Sequence, residues 1–120
     1  MWKLLKKAPS RFGKSFGYCW DGLKDVFLRE ESFRLETIAF VALLAVMLPS
    51  PWPAWKKTAM IACYLFIPLT EIVNSAVENL CDHVTSDFAP LVKCAKDKGA
   101  LAVLFAIVFN AFALATLLLV

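Results

Sequence analysis

Leu69-Thr70-Glu71-Ile72-Val73-Asn74-Ser75-Ala76-Val77-Glu78-Asn79-Leu80-Cys81-Asp82 closes a long apolar run with two glutamates, two asparagines and an aspartate. Wound as an α-helix, positions 71, 74, 75, 78 and 82 share one face. That face reads Glu, Asn, Ser, Glu, Asp. Ile72, Val73, Ala76, Val77 and Leu80 take the other side, an ordinary apolar surface. Ionisable groups at membrane depth are expensive and almost always face a bundle interior or a water-filled cavity. Seven residues separate the two glutamates, about 10 Å along the axis. Glu78 is therefore placed at the bilayer edge and Glu71 about two turns deeper.

The rest of the composition agrees with a membrane setting. Of 120 residues 60% are hydrophobic, mean hydropathy is +0.65, and there are 4 glycines. This is too apolar for a soluble domain and too short for two, so residues 1–120 are read as one membrane-embedded unit. No apolar core with a small-residue cleavage site follows the basic stretch from Lys3 to Lys14, so no cleavable leader is expected. Cys19, Cys63, Cys81 and Cys94 fit no zinc signature, even with His83 added, and read as small buried hydrophobes.

Met1 to Ser10 is a basic leader. From about Arg11 to Leu28, Phe12, Phe16, Trp20, Leu23 and Phe27 recur every three or four positions, the pattern of an amphipathic helix lying in the headgroup plane. The unbroken apolar run Ile38–Leu48 is short of the about 20 residues a span needs. A first span therefore begins near Glu30, runs to Leu48 and ends at Ser50-Pro51-Trp52-Pro53. A second helix runs from about Trp55 to Asp82, with Pro68 expected to bend it just before Glu71. Thr85–Leu91 is a polar connection and Lys93–Lys98 restarts a helix. Gly99–Val120 follows without one charge, and Asn110 and Thr116 are its only clear polar groups. The third helix is set at about 96–120. The expected fold is an all-α membrane protein, a surface helix plus three transmembrane helices. Basic residues lie mainly at or before Arg34 and in the 93–98 turn. They place the N-terminus and the loop from Asp82 to Lys98 in the cytoplasm and the C-terminus outside. Lys56 and Lys57 fall on the far side beside Trp52 and Trp55, where they can snorkel.

This topology gathers Glu30, Arg34 and Glu36, then Glu78 and Asp82, then Lys96 and Asp97, at one interface. Paired carboxylates there are a candidate Mg²⁺ site, since that ion takes one or two carboxylates and otherwise substrate phosphates and water. Lys96 is a mobile cation able to meet those phosphates, and the deeper Glu71 is a candidate base. The combination points to phosphoryl transfer onto a hydroxyl held in the membrane. Each part also has a plainer reading: Glu30 and Arg34 as an i, i+4 helix pair, Lys96 and Lys98 as topology signals, Glu71 as a structural partner across a subunit contact. No phosphate loop or dinucleotide fingerprint is present. No nucleic-acid partner is expected.

Gly17-Tyr18-x-Trp20, Glu30-x-x-Phe33-Arg34-x-Glu36, Glu71-x-x-Asn74-Ser75-Ala76-x-Glu78, Asp82 and Ala95-Lys96-Asp97-x-Gly99-Ala100 together resemble the prokaryotic integral-membrane diacylglycerol kinase family, which includes undecaprenol kinases. The resemblance runs from about Arg11 to Val120. It implies a homotrimer with active sites between subunits, in the bacterial inner (cytoplasmic) membrane. It also implies ATP as phosphoryl donor, Mg²⁺ as cofactor and diacylglycerol as lipid substrate. Glu71 corresponds to the base, and Glu30 and Glu78 to the Mg²⁺ ligands. Lys96 matches the lysine at the γ-phosphate, Asp97 its neighbour, and Asn74 a polar lining residue. Arg11 and Tyr18 match positions that help enclose the nucleotide, and Asp87 an acid near the ribose. Ser32, Phe33, Arg34 and Glu36 lie where the lipid enters, with Arg11, Glu71 and Ala100 also assigned to the lipid. His83-Val84-Thr85-Ser86-Asp87-Phe88-Ala89 departs from the family's usual loop, lacking its glycine and its histidine after an aromatic residue. Ser75 favours the diacylglycerol branch over the undecaprenol branch, which tends to have threonine there. The rival readings are a small proton-coupled multidrug transporter and a non-enzymatic assembly subunit. The transporter usually needs four spans and an acid in the first.

Overall fold

The computed structural model describes the backbone of residues 2–120 and the side chains from residue 12 onward. The described residues form five helices joined by short turns: α1 (Trp2–Arg29), α2 (Glu31–Met47), α3 (Ala54–Tyr64), α4 (Phe66–Val84) and α5 (Pro90–Leu119). They divide into two compact units, Met1–Glu31 and Ser32–Val120.

The first unit is α1. It begins nine residues earlier than its aromatic periodicity suggests. Helix formers precede Pro9, and a proline forfeits only its own amide bond and crowds one preceding carbonyl. Lys24 with Asp21 and Arg29 with Asp25 form surface ion pairs at 3.1 and 2.7 Å. Phe12, Phe16 and Trp20 are exposed by 69%, 74% and 61%, an aromatic stripe of the kind that suits an interfacial helix.

In the second unit two stretches are long and apolar enough to cross a membrane: Ala54–Val84 and Pro90–Leu119. The 17-residue α2, about 26 Å long, is shorter. Large apolar side chains along α5, Phe105, Phe112 and Leu118 among them, are more than half exposed, as lipid-facing groups would be.

The stretch Ala54–Val84 is two helices rather than one. Pro68 was expected to bend it next to Glu71, but the interruption sits at Leu65. The reason is directional: proline lacks the amide that would bond the carbonyl of residue 64, and its ring crowds that same carbonyl. The disturbance is felt one turn upstream. Leu65 donates to Ile61 O at 3.2 Å, and the ladder resumes with Leu69 donating to Leu65 O at 3.2 Å. Asn110 Nδ2 of α5 donates to Cys63 O at 2.9 Å beside the interruption, and to Ala106 O of its own helix at 2.9 Å.

The turn between α2 and α3 is tied down by two lysines. Lys57 Nζ donates to Leu48 O at 2.7 Å, just beyond α2. Lys56 Nζ donates to Leu117 O at 2.9 Å in the last turn of α5, and sits 5.7 Å from the ring centres of both Trp52 and Trp55. Carbonyls at helix C-termini lack amide partners and carry partial negative charge, so ammonium groups suit them. Met47, Met60 and Leu117 pack into the apolar cluster at this end. Further along, Tyr64 joins α3 to α2: its hydroxyl donates to Glu36 O at 2.6 Å and its ring stacks on Phe40 at 5.1 Å.

At the opposite end α5 starts at Pro90, six residues before the boundary read from the charged turn. Proline at the first helical position loses nothing, because its amide would have had no intrahelical partner.

Candidate active site

The row of polar residues on α4 is present as one helix face. Glu71 and Ser75 are buried, Asn74 and Glu78 half-buried, and Asp82 exposed. Asn74 Nδ2 donates to Glu78 Oε1 at 3.2 Å, the i, i+4 contact that the helix pitch provides. The other end of the Asn74 amide is pressed against α5. A Cβ placed on Gly99 would collide with Asn74 Oδ1 and come within 3.2 Å of Asn74 Cγ. Glycine at 99 is what lets the two helices approach at this level.

Four residues beyond Glu78, Asp82 Oδ1 accepts from Lys96 Nζ at 2.5 Å, an ion pair between α4 and α5. Lys96 also lies within electrostatic reach of Glu78. Lys93 pairs with Asp97 at 2.5 Å along α5. These groups border a cavity of about 240 Å³ lined by Asp82, the Thr85–Ala89 turn, Val92, Lys93, Lys96 and Asp97. The turn is shaped by Thr85, whose Oγ1 accepts from the Asp87 amide at 3.0 Å. Three residues expected from sequence to serve one nucleotide, Asp87, Lys96 and Asp97, thus share one cavity wall. Thr85 was missed, although a threonine two residues before an aspartate is a turn signal. The pairing of Asp82 with Lys96 was also missed, since only tertiary structure brings together residues fourteen apart.

Antiparallel packing fixes relative depth. Asn74 is level with Gly99, where the charge-free run of α5 begins, and Glu71 lies three residues, about 4.5 Å, toward the apolar side. Glu36 of α2 is within electrostatic reach of Glu71. Its Oε2 is buried with no hydrogen-bond partner among the described residues. On the same helix Ser32 is exposed, Phe33 buried and Arg34 half-buried, and Ala100 is exposed on α5. Tyr18 and Glu30 belong to the first unit; Tyr18 is exposed and Glu30 half-buried. The Arg11 side chain lies outside the described residues.

Glu78 suits a hard cation: it is a carboxylate with one oxygen already oriented by Asn74. Among the described residues no three His, Cys, Asp or Glu side chains cluster closely enough to hold a metal alone. An ion at Glu78 would therefore draw further ligands from substrate oxygens. Cys81 is buried with Sγ 4.0 Å from Val92 O, while Cys94 is exposed.

Helices throughout the described residues, two apolar stretches of bilayer length, and an ionic cavity where they turn beside a row of acids are the features of a small membrane protein with an interfacial polar site. Residues 17–118 match the family model of prokaryotic diacylglycerol kinase, and the chain belongs to that family. It is 32% identical over 99 residues to a diacylglycerol kinase of Escherichia coli strain K12, covering 82% of this chain and 81% of that one. It is 33% identical over 108 residues to a diacylglycerol kinase of Helicobacter pylori strain J99, covering 88% and 83%. With a diacylglycerol kinase of Pseudomonas aeruginosa the identity is 33% over 103 residues, covering 86% and 84%.

Proposed function

We propose that this member of the family transfers the γ-phosphoryl group of ATP to the primary hydroxyl of 1,2-diacylglycerol, giving phosphatidic acid, at the cytoplasmic face of the bacterial inner membrane. The observation that carries this reading is a single helix, α4, with a buried carboxyl at Glu71 and a cation-bearing cavity at its outer end. A lipid alcohol sits at the depth of the first and a water-borne nucleotide reaches the second.

In this reaction Glu71 accepts the hydroxyl proton as the lipid oxygen bonds to the γ-phosphorus and the bond to the bridging oxygen breaks, releasing ADP. Lys96, held at the cavity by Asp82, meets the negative charge on the transferring group, where fixed cations act most strongly. Asp97 and Asp87 border the nucleotide, with Arg11 and Tyr18 of α1 enclosing it. Asn74 orients Glu78 through the 3.2 Å bond. Glu30 and Glu78 would hold Mg²⁺, which when bound would supply charge neutralisation on the phosphates. Ser32, Phe33, Arg34, Glu36, Arg11 and Ala100 flank the lipid. The chain crosses the membrane three times, α2 with its flanking residues being the first span, and three chains assemble with sites between them. Exposed apolar surface on α5 supports both lipid contact and assembly.

Purified protein supplied with radiolabelled ATP and either diacylglycerol or undecaprenol tests the proposal. Turnover of diacylglycerol is expected, with Glu71→Gln lowering it at least a hundredfold while the protein stays folded. Exclusive phosphorylation of the polyprenol would move the chain to the other branch. Undiminished activity in Glu71→Gln would remove Glu71 as the base.

A further inference from the structure

The two lysines that line the outer cavity both rest on carboxylates: Lys93 on Asp97 along α5, and Lys96 on Asp82 across the helix pair. The two contacts differ in kind. Lys93 and Asp97 are four apart on one helix, a pair that the helix pitch supplies. Lys96 and Asp82 are fourteen apart, and their meeting depends on how α4 packs on α5. At 2.5 Å the Asp82 oxygen takes up one donor position of the Lys96 ammonium. Phosphate oxygens compete with carboxylate oxygens for such positions.

Side-chain exposure is 66% for Asp82 and 38% for Lys96, so the pair is solvated, contributes little to stability and is readily exchanged. Lys96 also lies within electrostatic reach of Glu78, the carboxylate that Asn74 orients. Its ammonium is therefore near two acids one helical turn apart, the exposed one at the cavity and the half-buried one proposed to hold the ion. We propose that Asp82 is a positioning residue that stands in for a phosphate oxygen. It keeps Lys96 at the cavity wall while the cavity is empty, and the polyphosphate of the nucleotide displaces it. No covalent bond forms or breaks in this exchange. Asp82 competes for Lys96 only before the nucleotide is bound, so its contact is missing from the nucleotide complex and from the transition state alike. Such a group sets affinity and leaves the chemical step alone. The inference rests on the reading of this cavity as the nucleotide's.

Steady-state turnover of diacylglycerol by Asp82→Asn tests this. KM for ATP with Mg²⁺ should fall about three- to fivefold, the range that an exposed ion pair sets, with kcat and KM for the lipid within about twofold. Asp82→Glu restores a carboxylate and should return KM for ATP toward the wild-type value. A clamp that merely joined α4 to α5 would, when lost, lower the thermal midpoint and leave KM unmoved. A group that held Lys96 in its working position would raise KM when lost. Either result overturns the proposal, as does an Asp82→Asn variant that does not fold. Simple repulsion between Asp82 and the incoming charge is separated by a Lys96→Met background, where the gain from Asp82→Asn should shrink to less than about 1.5-fold. An equal gain in both backgrounds overturns the proposal. Equilibrium binding of the β,γ-imido analogue of ATP with Mg²⁺ makes the same comparison without turnover, and its Kd should fall by the same factor in Asp82→Asn. If the wild-type protein binds this analogue but phosphorylates no lipid, the proposed function fails and Kd alone decides the role of Asp82. If it does not bind the analogue, the role of Asp82 falls as well.

Discussion

At the scale of single residues, Asn74 and Gly99 define the tightest feature of the site. Alanine in place of a helix glycine ordinarily stabilises by about 1 kcal/mol, but here the added methyl collides with the Asn74 amide. Gly99→Ala is expected to displace that amide from Glu78 and lower kcat about tenfold, with no gain in thermal stability. Adding Asn74→Ala removes the obstruction, so the double variant should regain the ordinary stabilisation while remaining slow. Calorimetry beside turnover measurements checks both. Lys96→Met should raise KM for ATP about tenfold or more, since a charge-assisted contact to phosphate is lost, with KM for the lipid little changed. The i, i+4 spacing of Asn74 and Glu78 could be read from the chain. The collision partner of Gly99 could not, because no local pattern says which turn of α4 faces it.

At the scale of elements, the sequence shows which helices exist more reliably than where they end. Pro90 and Pro68 illustrate why. The first starts a helix because its missing amide would have been idle, and the second breaks one a turn before its own position; each effect is directional along the chain. The charged turn from Lys93 to Lys98 drew the expected boundary inward, although α5 runs through it. The lysines of the α2–α3 turn are a further case. Lys56 and Lys57 were expected to snorkel, and the structure has their ammonium groups on the carbonyls of Leu117 and Leu48. Lys56→Met is therefore expected to destabilise the fold by about 1 kcal/mol, seen as a lower midpoint in thermal unfolding. Turnover at low temperature should be unaffected, because the groups proposed to react lie at the other end of the helices.

At the scale of the whole molecule, the apolar character and the polar site were legible, because hydropathy and an acid row in an apolar run are strong local signals. The cavity was not, since its walls come from two helices and the turn between them. The proposed sidedness can be tested with the exposed thiol of Cys94. A membrane-impermeant maleimide should label Cys94 in inside-out vesicles and leave it unlabelled in right-side-out ones; the reverse pattern would invert the topology.

The contact between Asn74 and Gly99 has one more consequence. It works as a tooth in a notch, and α5 has a single notch, since the chain's other glycines are at 13, 17 and 22. Sliding either rod by one turn, about 5.4 Å, would set Ala95 or Lys96 on one side, or Ala102 or Val103 on the other, against the tooth. Only one vertical alignment of the hairpin is sterically open, so the height of the acids against the start of the greasy stretch is indexed mechanically and does not depend on the charges themselves.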